Sequence, residues 1–410
     1  MIESFLRRMI KVGDLTVRLA DGRTLTAGDG TGPPVTLRVA AKALRRIALQ
    51  PGLAFGEAYM NGELIIERGN LWDLLDMIGR SGGRAPAKGR GSLLTRLKRS
   101  FKRHLQQANG RLASRRNVTH HYDLSNDLYR RFLDADMQYS CAYFGRPDMS
   151  LDEAQAAKKA HIADKLRIGP GQSVLDIGCG WGGMSITLAR DYGAKVTGVT
   201  LSDEQLSLAR ERVAAAGLSE RIAFELQDYR DVAGPFDRIV SVGMLEHVGA
   251  PNLRAYFETV RRLLDTDGVA LIHTIGRMEG PRVTNAFTRK YIFPGGYIPA
   301  MSEVTQAIED AGLWITDVEI LRLHYAETLR HWRQRFMADP EIPSLYPEPF
   351  RRMWEFYLAG SEMGFRYGGH MVMQFQLTRR IDALPITRDY MVEKGARTAS
   401  TSYPTALIGE

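Results

Sequence analysis

The sequence predicts an α/β protein in which a doubly wound sheet is joined to a small N-terminal α+β domain. After about residue 170, apolar strand segments alternate with helical segments, and a glycine-rich turn follows the first of these strands. The first 79 residues show short alternating strands and a hairpin instead. Alternating strands and helices indicate a parallel sheet covered by helices on both faces, so we expect two different folding units.

The N-terminal domain is predicted over residues 1–79. The stretch DLTVRLADGRTLTAG alternates apolar and polar residues and turns at Asp21-Gly22, which is typical of a β-hairpin. AKALRRIAL indicates a short helix. GEAYMNGELIIERGNLWDLLDMI then indicates a helix, a turn at Asn61-Gly62, a short strand and another helix.

A basic linker is predicted over residues 80–116, which hold 12 Lys/Arg and no Asp/Glu. The whole chain carries +8, so the remaining residues sum to −4 and the basic charge is local. Within the linker, SLLTRLKRSFKRHL places its leucines at helical spacing and predicts a basic amphipathic helix. This helix either docks on an anionic membrane surface or packs its leucines on the next domain. We expect no nucleic acid partner, because no aromatic platform or DNA-reading motif accompanies the charge.

The catalytic domain is predicted over residues 117–385. Its strands are SVLDIG, KVTGVTLS, RIAFELQD, FDRIVSVG, GVALIHTIG, LWITDVEIL and HMVMQFQLTRR. Its helices are WGGMSITLARDYG, DEQLSLARERVAAAG (capped by Ser202 or Asp203), PNLRAYFETVRRLLD, ETLRHWRQRFMAD and PFRRMWEFYLAGSEMGF. Residues 386–410 are predicted to be a C-terminal tail with little order.

Composition points to the cytoplasm. Two cysteines in 410 residues cannot form a disulfide framework, the N-terminal stretch lacks the apolar region of a secretory signal, and no run of 18 apolar residues is present. With the basic linker, these features predict a cytoplasmic protein that binds peripherally to the inner face of the cytoplasmic membrane.

The stretch VLDIGCGWGG, residues 174–183, is the strongest chemical signal. Glycines after an apolar strand let a ligand approach the backbone at the carboxyl end of the sheet. A dinucleotide is disfavoured, because the spacing departs from G-x-G-x-x-G and Asp176 would set an anion where a pyrophosphate must lie. An acid there suits a cationic ligand, and we therefore predict a nucleoside sulfonium.

A set of ordered segments narrows this prediction. They are HHYDLSNDLYRRFLDADMQYSCAYF (120–144), GVTLSDEQ (198–205), QDYRD (227–231), SVGMLEHVG (241–249) and HTIGR (273–277). With the glycine turn, the chain resembles the cyclopropane-fatty-acyl-phospholipid synthases, relatives of the mycolic acid cyclopropane synthases among the class I S-adenosylmethionine-dependent methyltransferases. The resemblance runs from about residue 115 to 380. The N-terminal domain also resembles that of the bacterial phospholipid enzymes, and this implies a homodimer formed through it.

The resemblance implies a cofactor site for S-adenosylmethionine. The implied residues are Tyr139 and Ser140 at the methionine end, Asp176, Gly178 and Gly180 in the turn, Thr200 and Gln205 at the ribose or adenosine, and Asp228 and Tyr229 beside the adenine. The sequence departs from most Rossmann-like methyltransferases in one respect. Thr200, and not an acid, ends the second strand, so Gln205 must substitute at the ribose.

The implied reaction adds the sulfonium methyl to a cis double bond of a phospholipid acyl chain and closes a cyclopropane ring. The carbocation needs a dry pocket, and aromatic faces can stabilise it. Candidate linings are Tyr139, Tyr143, Phe144, Tyr291, Phe293 and Tyr297, although for any single one of them the role of an ordinary core aromatic is favoured.

The family holds a bicarbonate ion as the base that removes the methyl proton. The residues implied for this site are Cys141, Glu246, His273, Ile275 and Tyr325. Glu246 would accept a hydrogen bond from the bicarbonate hydroxyl, His273 and Tyr325 would donate to the anion, and Ile275 could contribute only its backbone. Cys141 has no His or Lys neighbour in sequence, and the reaction needs no covalent enzyme intermediate, so Cys141 is predicted not to be a nucleophile.

Alternatives remain open at this point. His273 could be a structural histidine at a strand end, and a metal site is disfavoured because no H-x-x-x-H or C-x-x-C spacing is present. A related lipid C-methyltransferase could leave a methyl branch or an exocyclic methylene. A small-molecule N-methyltransferase and an inactive lipid- or cofactor-binding module are further candidates.

Overall fold

The computed structural model describes residues 2–82 and 125–391, which fall into two compact units. The described residues of the first unit are 2–82, 284–294 and 326–370, and those of the second are 125–283, 295–325 and 371–391. Residues 284–294 and 326–370, which the sequence assigns to the catalytic domain, therefore belong to the same compact unit as residues 2–82.

The secondary structure alternates along the chain as the sequence patterns predict. The strands are β1 Asp14–Leu19, β2 Thr24–Ala27, β3 Pro34–Val39, β4 Leu64–Arg68, β5 Ser173–Ile177, β6 Lys195–Thr200, β7 Ile222–Leu226, β8 Phe236–Val242, β9 Leu264–Arg277, β10 Trp314–Leu321 and β11 His370–Thr378. The helices are α1 Ile2–Met9, α2 Ala41–Leu49, α3 Pro51–Met60, α4 Leu71–Gly82, α5 Asn126–Phe132, α6 Leu151–Leu166, α7 Gly183–Tyr192, α8 Asp203–Ala215, α9 Leu253–Leu263, α10 Ala286–Tyr291, α11 Met301–Asp310, α12 His324–Ala338, α13 Ile342–Leu345 and α14 Glu348–Arg366.

The first unit contains a four-stranded sheet in the order β2-β1-β3-β4. β1 and β2 pair antiparallel around Asp21-Gly22, which confirms the predicted hairpin. β1 runs parallel to β3, and β3 runs antiparallel to β4. Alternate residues of β1 and β3 are buried, which is the pattern of a sheet with one face on the core.

Polar contacts explain why α14 belongs to the first unit. The Tyr59 hydroxyl donates to Glu355 at 2.6 Å, and Trp72 Nε1 donates to Glu362 at 3.0 Å. Ala359 lies on the same side of the helix and is buried in the core formed by the N-terminal residues. Burial of either carboxylate without its donor would be costly. The two hydrogen bonds therefore hold α14 against α3 and α4.

The second unit is built on a seven-stranded sheet in the order β10-β11-β9-β8-β5-β6-β7. β5 to β9 pair parallel, and β10 and β11 form an antiparallel pair at the edge. From β5 the chain proceeds outward to β6 and β7, and it then returns through β8 to β9. This confirms the doubly wound fold, and the point where the strand order reverses lies between β5 and β8.

Helix caps explain where the flanking helices begin. The Ser150 hydroxyl accepts from the Glu153 amide at 3.2 Å, and Glu153 accepts from the Ser150 amide at 2.8 Å, a capping box that starts α6. Ser202 caps α8, and it is one of the two residues, Ser202 and Asp203, that the sequence offers as the cap. The buried face of α6 includes Lys158 and Lys165, so this helix carries ammonium groups into the interior of the unit.

The basic linker and the C-terminal tail are described only in part. The predicted amphipathic helix and most of residues 80–116 lie outside the described residues, whereas Arg80 belongs to α4 and pairs with Asp76 at 2.8 Å. Of the predicted tail, residues 386–391 are described; residues 386–389 are exposed, whereas the Tyr390 hydroxyl accepts from Gln376 of β11 at 2.9 Å. Among the described residues, the helices are too short or too polar to cross a bilayer.

Candidate active site

The glycine-rich turn forms at the carboxyl end of β5. The amides of Gly178 and Cys179 both donate to the Val199 carbonyl, at 2.9 and 3.1 Å, so the turn is anchored to β6. Gly178 and Gly180 have φ of +82° and +54°, and neither could be a β-branched residue without strain. Gly182 also has a positive φ, of +80°, and in addition a methyl group there would lie 2.7 Å from the ring of Phe224.

A pocket of about 820 Å³ opens beside this turn, at the reversal point of the strand order. Its lining residues come from the loops after β5, β6, β7 and β8: Ile177, Gly178, Gly180, Val199, Thr200, Leu201, Gln205, Gln227, Asp228, Tyr229, Arg230, Val242, Gly243, Met244, His247, Val248 and Asn252. Six of the nine residues predicted for the cofactor are in this set. The mixture of apolar walls with a few polar groups suits a nucleoside ligand.

The polar groups at the end of β6 are arranged for hydrogen bonding. The Thr200 hydroxyl donates to the Gln205 amide oxygen at 3.2 Å, and Ser202 caps the helix that carries Gln205. Because Thr200 fixes the amide oxygen, the NH₂ group of Gln205 is the donor that remains for a ligand. This arrangement fits the role of Gln205 at a ribose in a site where the second strand ends without an acid.

The loop after β7 presents an aromatic wall. Asp228 accepts two hydrogen bonds from Arg230, at 2.5 and 2.8 Å, and the Arg230 guanidinium lies 5.6 Å from the centre of the Tyr229 ring. Tyr256 packs edge-on against Tyr229 at 5.4 Å. Burial raises the pKa of Tyr229 to about 12, so the phenol is neutral and its ring is held in one orientation.

Three predicted cofactor residues are outside this lining. Tyr139 packs edge-on against Tyr129 at 5.1 Å, and the Ser140 hydroxyl accepts from the Lys158 ammonium at 2.8 Å. Asp176 accepts from the Ser185 hydroxyl at 2.7 Å, which ties β5 to α7, and burial raises its pKa to about 6. Ser140 and Asp176 are buried, and Tyr139 is half-buried.

Glu246 is the centre of the predicted bicarbonate set. The Ile275 amide donates to its Oε1 at 2.6 Å, which joins the loop after β8 to β9. Its Oε2 is buried and accepts no hydrogen bond of normal geometry from the described residues. The neighbouring Thr274 hydroxyl donates to the Ile275 carbonyl, but it lies close enough to the Glu246 carboxyl to oppose slightly the rise in the pKa of that carboxyl that burial causes. Burial raises the pKa of Glu246 to about 7, so this carboxyl can exchange a proton near neutral pH.

His273 lies between Glu246 and the pocket along β9. Its carbonyl accepts from the amide of Gly243, a pocket-lining residue, at 2.9 Å. Its Nδ1 is 3.1 Å from the Gln374 amide nitrogen. Burial, followed by the positive charge of Lys158, lowers the pKa of His273, so the ring is neutral.

Cys141 and Tyr325 are both buried in the second unit. The Cys141 thiol donates to the Ala142 carbonyl at 3.3 Å, and Lys158 is close enough to interact electrostatically with both Cys141 and His273. Tyr325 is in the first turn of α12, after His324, whose Nδ1 accepts from the Phe144 amide at 2.9 Å. Within the predicted bicarbonate set, a direct hydrogen bond joins Glu246 and Ile275.

The candidate aromatic lining is divided between the two units. Tyr139, Tyr143, Phe144 and Tyr297 belong to the second unit, whereas Tyr291 and Phe293 belong to the first. Tyr143 is stacked between the rings of His161 and His324, at 4.3 and 4.9 Å. Tyr291 donates to Glu57 at 2.9 Å within the first unit.

Sequence reasoning missed several residues of the site. Gln227, Met244 and His247 line the pocket and stand inside motifs that were recognised, so their place in those motifs was the available signal. Burial lowers the pKa of His247 to about 4, so its imidazole is neutral where it lines the pocket. Lys158 and Gln374 belong to no motif, and only the structure shows them beside His273.

The fold and the pocket define a class I S-adenosylmethionine-dependent methyltransferase, with the ligand site at the reversal point of a seven-stranded sheet. The family described as mycolic acid cyclopropane synthetase matches residues 110–375, and a domain of unknown function matches residues 1–85. This chain belongs to the mycolic acid cyclopropane synthetase family, and it is an enzyme.

Two relatives match most of the chain. A cyclopropane-fatty-acyl-phospholipid synthase of Escherichia coli K12 is 39% identical over 358 residues, which is 85% of this chain and 89% of the relative. A tuberculostearic acid methyltransferase of Mycobacterium tuberculosis is 40% identical over 394 residues, which is 91% of this chain and 90% of the relative. The crystal structure of the mycolic acid cyclopropane synthase CmaA1 complexed with S-adenosylhomocysteine has a TM-score of 0.61 and 36% identity, and covers 64% of this chain and 97% of that one.

Proposed function

We propose that the enzyme transfers a methylene from S-adenosylmethionine to the cis double bond of an unsaturated phospholipid acyl chain and forms a cyclopropane ring. The sulfonium methyl becomes bonded to one alkene carbon, the other carbon becomes cationic, and loss of a proton from the new methyl lets the ring close. The Escherichia coli relative is named for this product and matches the chain in both domains, which supports the proposal.

The buried, unpartnered Oε2 of Glu246 is the observation that carries the proposal. A carboxylate oxygen without a hydrogen bond in the interior costs roughly 1–3 kcal/mol, and a bound ligand that donates to it is one way in which a native protein offsets that cost. A bound bicarbonate hydroxyl would donate to this oxygen. The Ile275 amide already occupies Oε1, so Ile275 would act by orienting Glu246.

The neighbouring residues fit an anion. His273 is neutral and can donate one hydrogen bond without becoming an acid, and the buried ammonium of Lys158 provides positive charge nearby. Tyr325 and the Cys141 backbone would complete the site, and Cys141 has no part in the chemistry as a nucleophile. When bound there, bicarbonate would supply the base for the methyl proton.

The pocket residues would hold the methyl donor. Gly178 and Gly180 would offer backbone contacts, the Gln205 amide would donate to the ribose, and Tyr229 would stack on the adenine. Tyr139 and Ser140 would contact the methionine end of the cofactor, and Asp176, which accepts from Ser185, would fix the shape of the turn.

A second product is favoured by a specific observation. The tuberculostearic acid methyltransferase of Mycobacterium tuberculosis covers slightly more of the chain at similar identity. The hydrogen on the newly methylated carbon would then shift as hydride to the neighbouring cationic carbon, and loss of a proton from the new methyl would leave an exocyclic methylene. A saturated methyl branch would require a hydride from a separate reductant. The residues described here would serve either product up to the formation of the cation.

One experiment separates the two products. The protein is incubated with ¹³C-methyl-labelled S-adenosylmethionine and vesicles of cis-unsaturated phospholipid, and the acyl chains are analysed by NMR and mass spectrometry. Label in a high-field ring carbon supports the cyclopropane. Label in a branch or an exocyclic methylene refutes the cyclopropane product but is consistent with methyl transfer to the alkene. Unlabelled lipid refutes both the product and the methyl transfer.

A second experiment tests the base. Turnover in buffer freed of carbon dioxide should fall and be restored by added bicarbonate, and Glu246→Gln should lose roughly 100-fold or more of the turnover. Cys141→Ser should retain most of it. The control is Glu258→Gln on the exposed face of α9, where Glu258 pairs with Arg254 at 2.8 Å. Bicarbonate-independent turnover, or inactivity of a folded Cys141→Ser, would contradict the assignment.

We further propose that residues 80–116 dock the enzyme on the anionic cytoplasmic face of the membrane and that the N-terminal domain forms a homodimer. The 12 basic residues support the docking, at roughly 1 kcal/mol for each Lys or Arg near the surface. Binding to anionic vesicles should weaken from 50 to 500 mM salt. Salt-independent binding would exclude the electrostatic mechanism, and sedimentation as a monomer would exclude the dimer.

A further inference from the structure

The hydrogen bonds around His273 determine which ring nitrogen carries the proton. Gln374 lies on β11, the strand next to β9, and is fully buried. Its amide oxygen accepts from the Lys165 ammonium at 2.9 Å, and its amide nitrogen is 3.1 Å from His273 Nδ1. An ammonium can only donate, so the amide cannot turn around. Gln374 must therefore donate to Nδ1, which leaves the proton of the neutral ring on Nε2.

Lys165 is itself fixed by acidic residues of β10. Its ammonium pairs with Glu319, and Asp317 lies 3.7 Å away. Glu319 also contacts His161 Nε2 at 2.6 Å. The contacts thus form a continuous chain from the partly exposed Glu319 through Lys165 and Gln374 to the buried His273, entirely within the second unit.

The charges that face His273 keep its ring neutral. Lys158, Lys165 and His161 on α6 disfavour a second proton on His273, and Glu319 opposes them only partly. Because burial acts in the same direction, the ring offers one N–H and never two. The identity of the protonated nitrogen then decides whether His273 donates toward the predicted anion or only toward Gln374.

We propose that Gln374, oriented by Lys165, is a positioning residue that holds His273 as the Nε2–H tautomer and so presents a hydrogen-bond donor to the anion. The role of the His273 tautomer rests on the proposed bicarbonate site, because the anion bound there would accept the hydrogen bond from His273. The hydrogen bonds that support it do not depend on that site. Neither Gln374 nor Lys165 contacts the reacting atoms in this assignment, and both act through His273.

Gln376 provides a matched control on the same strand. It is two residues further along β11, on the same face, and is also fully buried. Its amide donates to the Lys165 carbonyl at 2.6 Å and to Tyr390, and its oxygen accepts from Thr316. Loss of the Gln376 side chain removes more hydrogen bonds than loss of the Gln374 side chain, and none of those described involves His273.

The test is a ¹⁵N NMR measurement of the His273 ring in the full-length protein. The chain has nine histidines, and the His273 signals are identified by their loss in His273→Gln. The wild type and Gln376→Met should show the Nε2–H pattern. Gln374→Met should show a mixture of tautomers, and Gln374→Glu, whose carboxylate accepts from both neighbours, should show Nδ1–H. Retention of the wild-type pattern in both Gln374 variants, or its loss in Gln376→Met, would overturn the proposal.

Kinetics separate this inference from the proposed base. Gln374→Met should raise the KM for bicarbonate about 10- to 100-fold, the usual value of one hydrogen bond to a charged group, with little change in the KM for S-adenosylmethionine. An unchanged bicarbonate KM together with a changed tautomer would overturn the role in anion binding. If the wild type needs no bicarbonate, the proposed base is wrong, whereas the NMR result still decides the tautomer.

Discussion

Replacing Glu246 by Gln should stabilise the protein above neutral pH while it removes activity. The substitution keeps the shape of the side chain and an oxygen for the Ile275 amide, and it removes the buried negative charge. Because burial raises the pKa of Glu246 to about 7 from the unfolded value of 4.5, the folded state binds an extra proton between these two values. Stability contributed by the protonated form is complete below about pH 4.5 and is lost as the pH rises through 7.

The magnitude follows from that pKa difference. A change of about 2.5 pKa units corresponds to roughly 3 kcal/mol once both states are titrated, and about 2.5 kcal/mol of this develops between pH 5 and pH 8. The residue as a whole is only partly buried, so some water reaches it and these figures are upper limits. The unpartnered amide NH₂ of the variant costs about 1 kcal/mol at every pH and does not change the slope.

Urea unfolding at pH 5, 6, 7 and 8 measures this effect. The free energy of unfolding of Glu246→Gln minus that of the wild type should rise with pH by about 1.5–2.5 kcal/mol. Glu258→Gln, at an exposed ion pair, should give a difference below about 0.5 kcal/mol that does not follow this trend. Parallel pH profiles for Glu246→Gln and the wild type would refute the reasoning, because they would mean that the Glu246 carboxyl titrates normally.

The remaining predictions concern the pocket. Gly180→Ala should fold with a loss of roughly 1 kcal/mol for its positive φ, since an added methyl meets no atom within 4 Å, but calorimetry should show weaker binding of S-adenosylhomocysteine. Gly182→Ala should lose about 1–3 kcal/mol in urea unfolding, because its methyl meets Phe224 at 2.7 Å. The opposite ranking of stabilities would contradict this distinction. Tyr229→Ala should weaken binding of S-adenosylhomocysteine about 5- to 100-fold and Tyr229→Phe hardly at all, and equal losses would exclude stacking.

The sequence was sufficient to predict the sheet and much of the pocket. Each parallel strand was a short apolar run bounded by a turn, and the ends of such strands meet at one edge of a sheet. Residues within a few positions of those ends, such as Gly178, Thr200 and Asp228, could therefore be assigned to one site from their order alone. The family resemblance then gave each a role in binding the cofactor.

The sequence was insufficient where the contact joins elements that are distant in the chain. Gln374 follows His273 by 101 residues, and its amide is oriented by Lys165, a residue of a helix before the sheet. A glutamine inside an apolar strand and a lysine on a helix carry no local pattern that reveals burial. The same limit explains why α14 was assigned to the catalytic domain, since Tyr59 and Glu355 are 296 residues apart.

The electrostatic arrangement of the second unit suits an anion that must act as a base. Two ammonium groups on α6 are buried near His273, but Glu319 pairs with Lys165 and leaves Lys158 as the nearer positive charge. If both lysines were unopposed, a bound anion would be stabilised so strongly that it would lose basicity. Glu246 acts in the other direction, because its carboxyl places negative charge beside the anion near neutral pH. Removal of Lys158 should therefore weaken anion binding, whereas removal of Glu246 should leave an anion that binds and accepts a proton poorly.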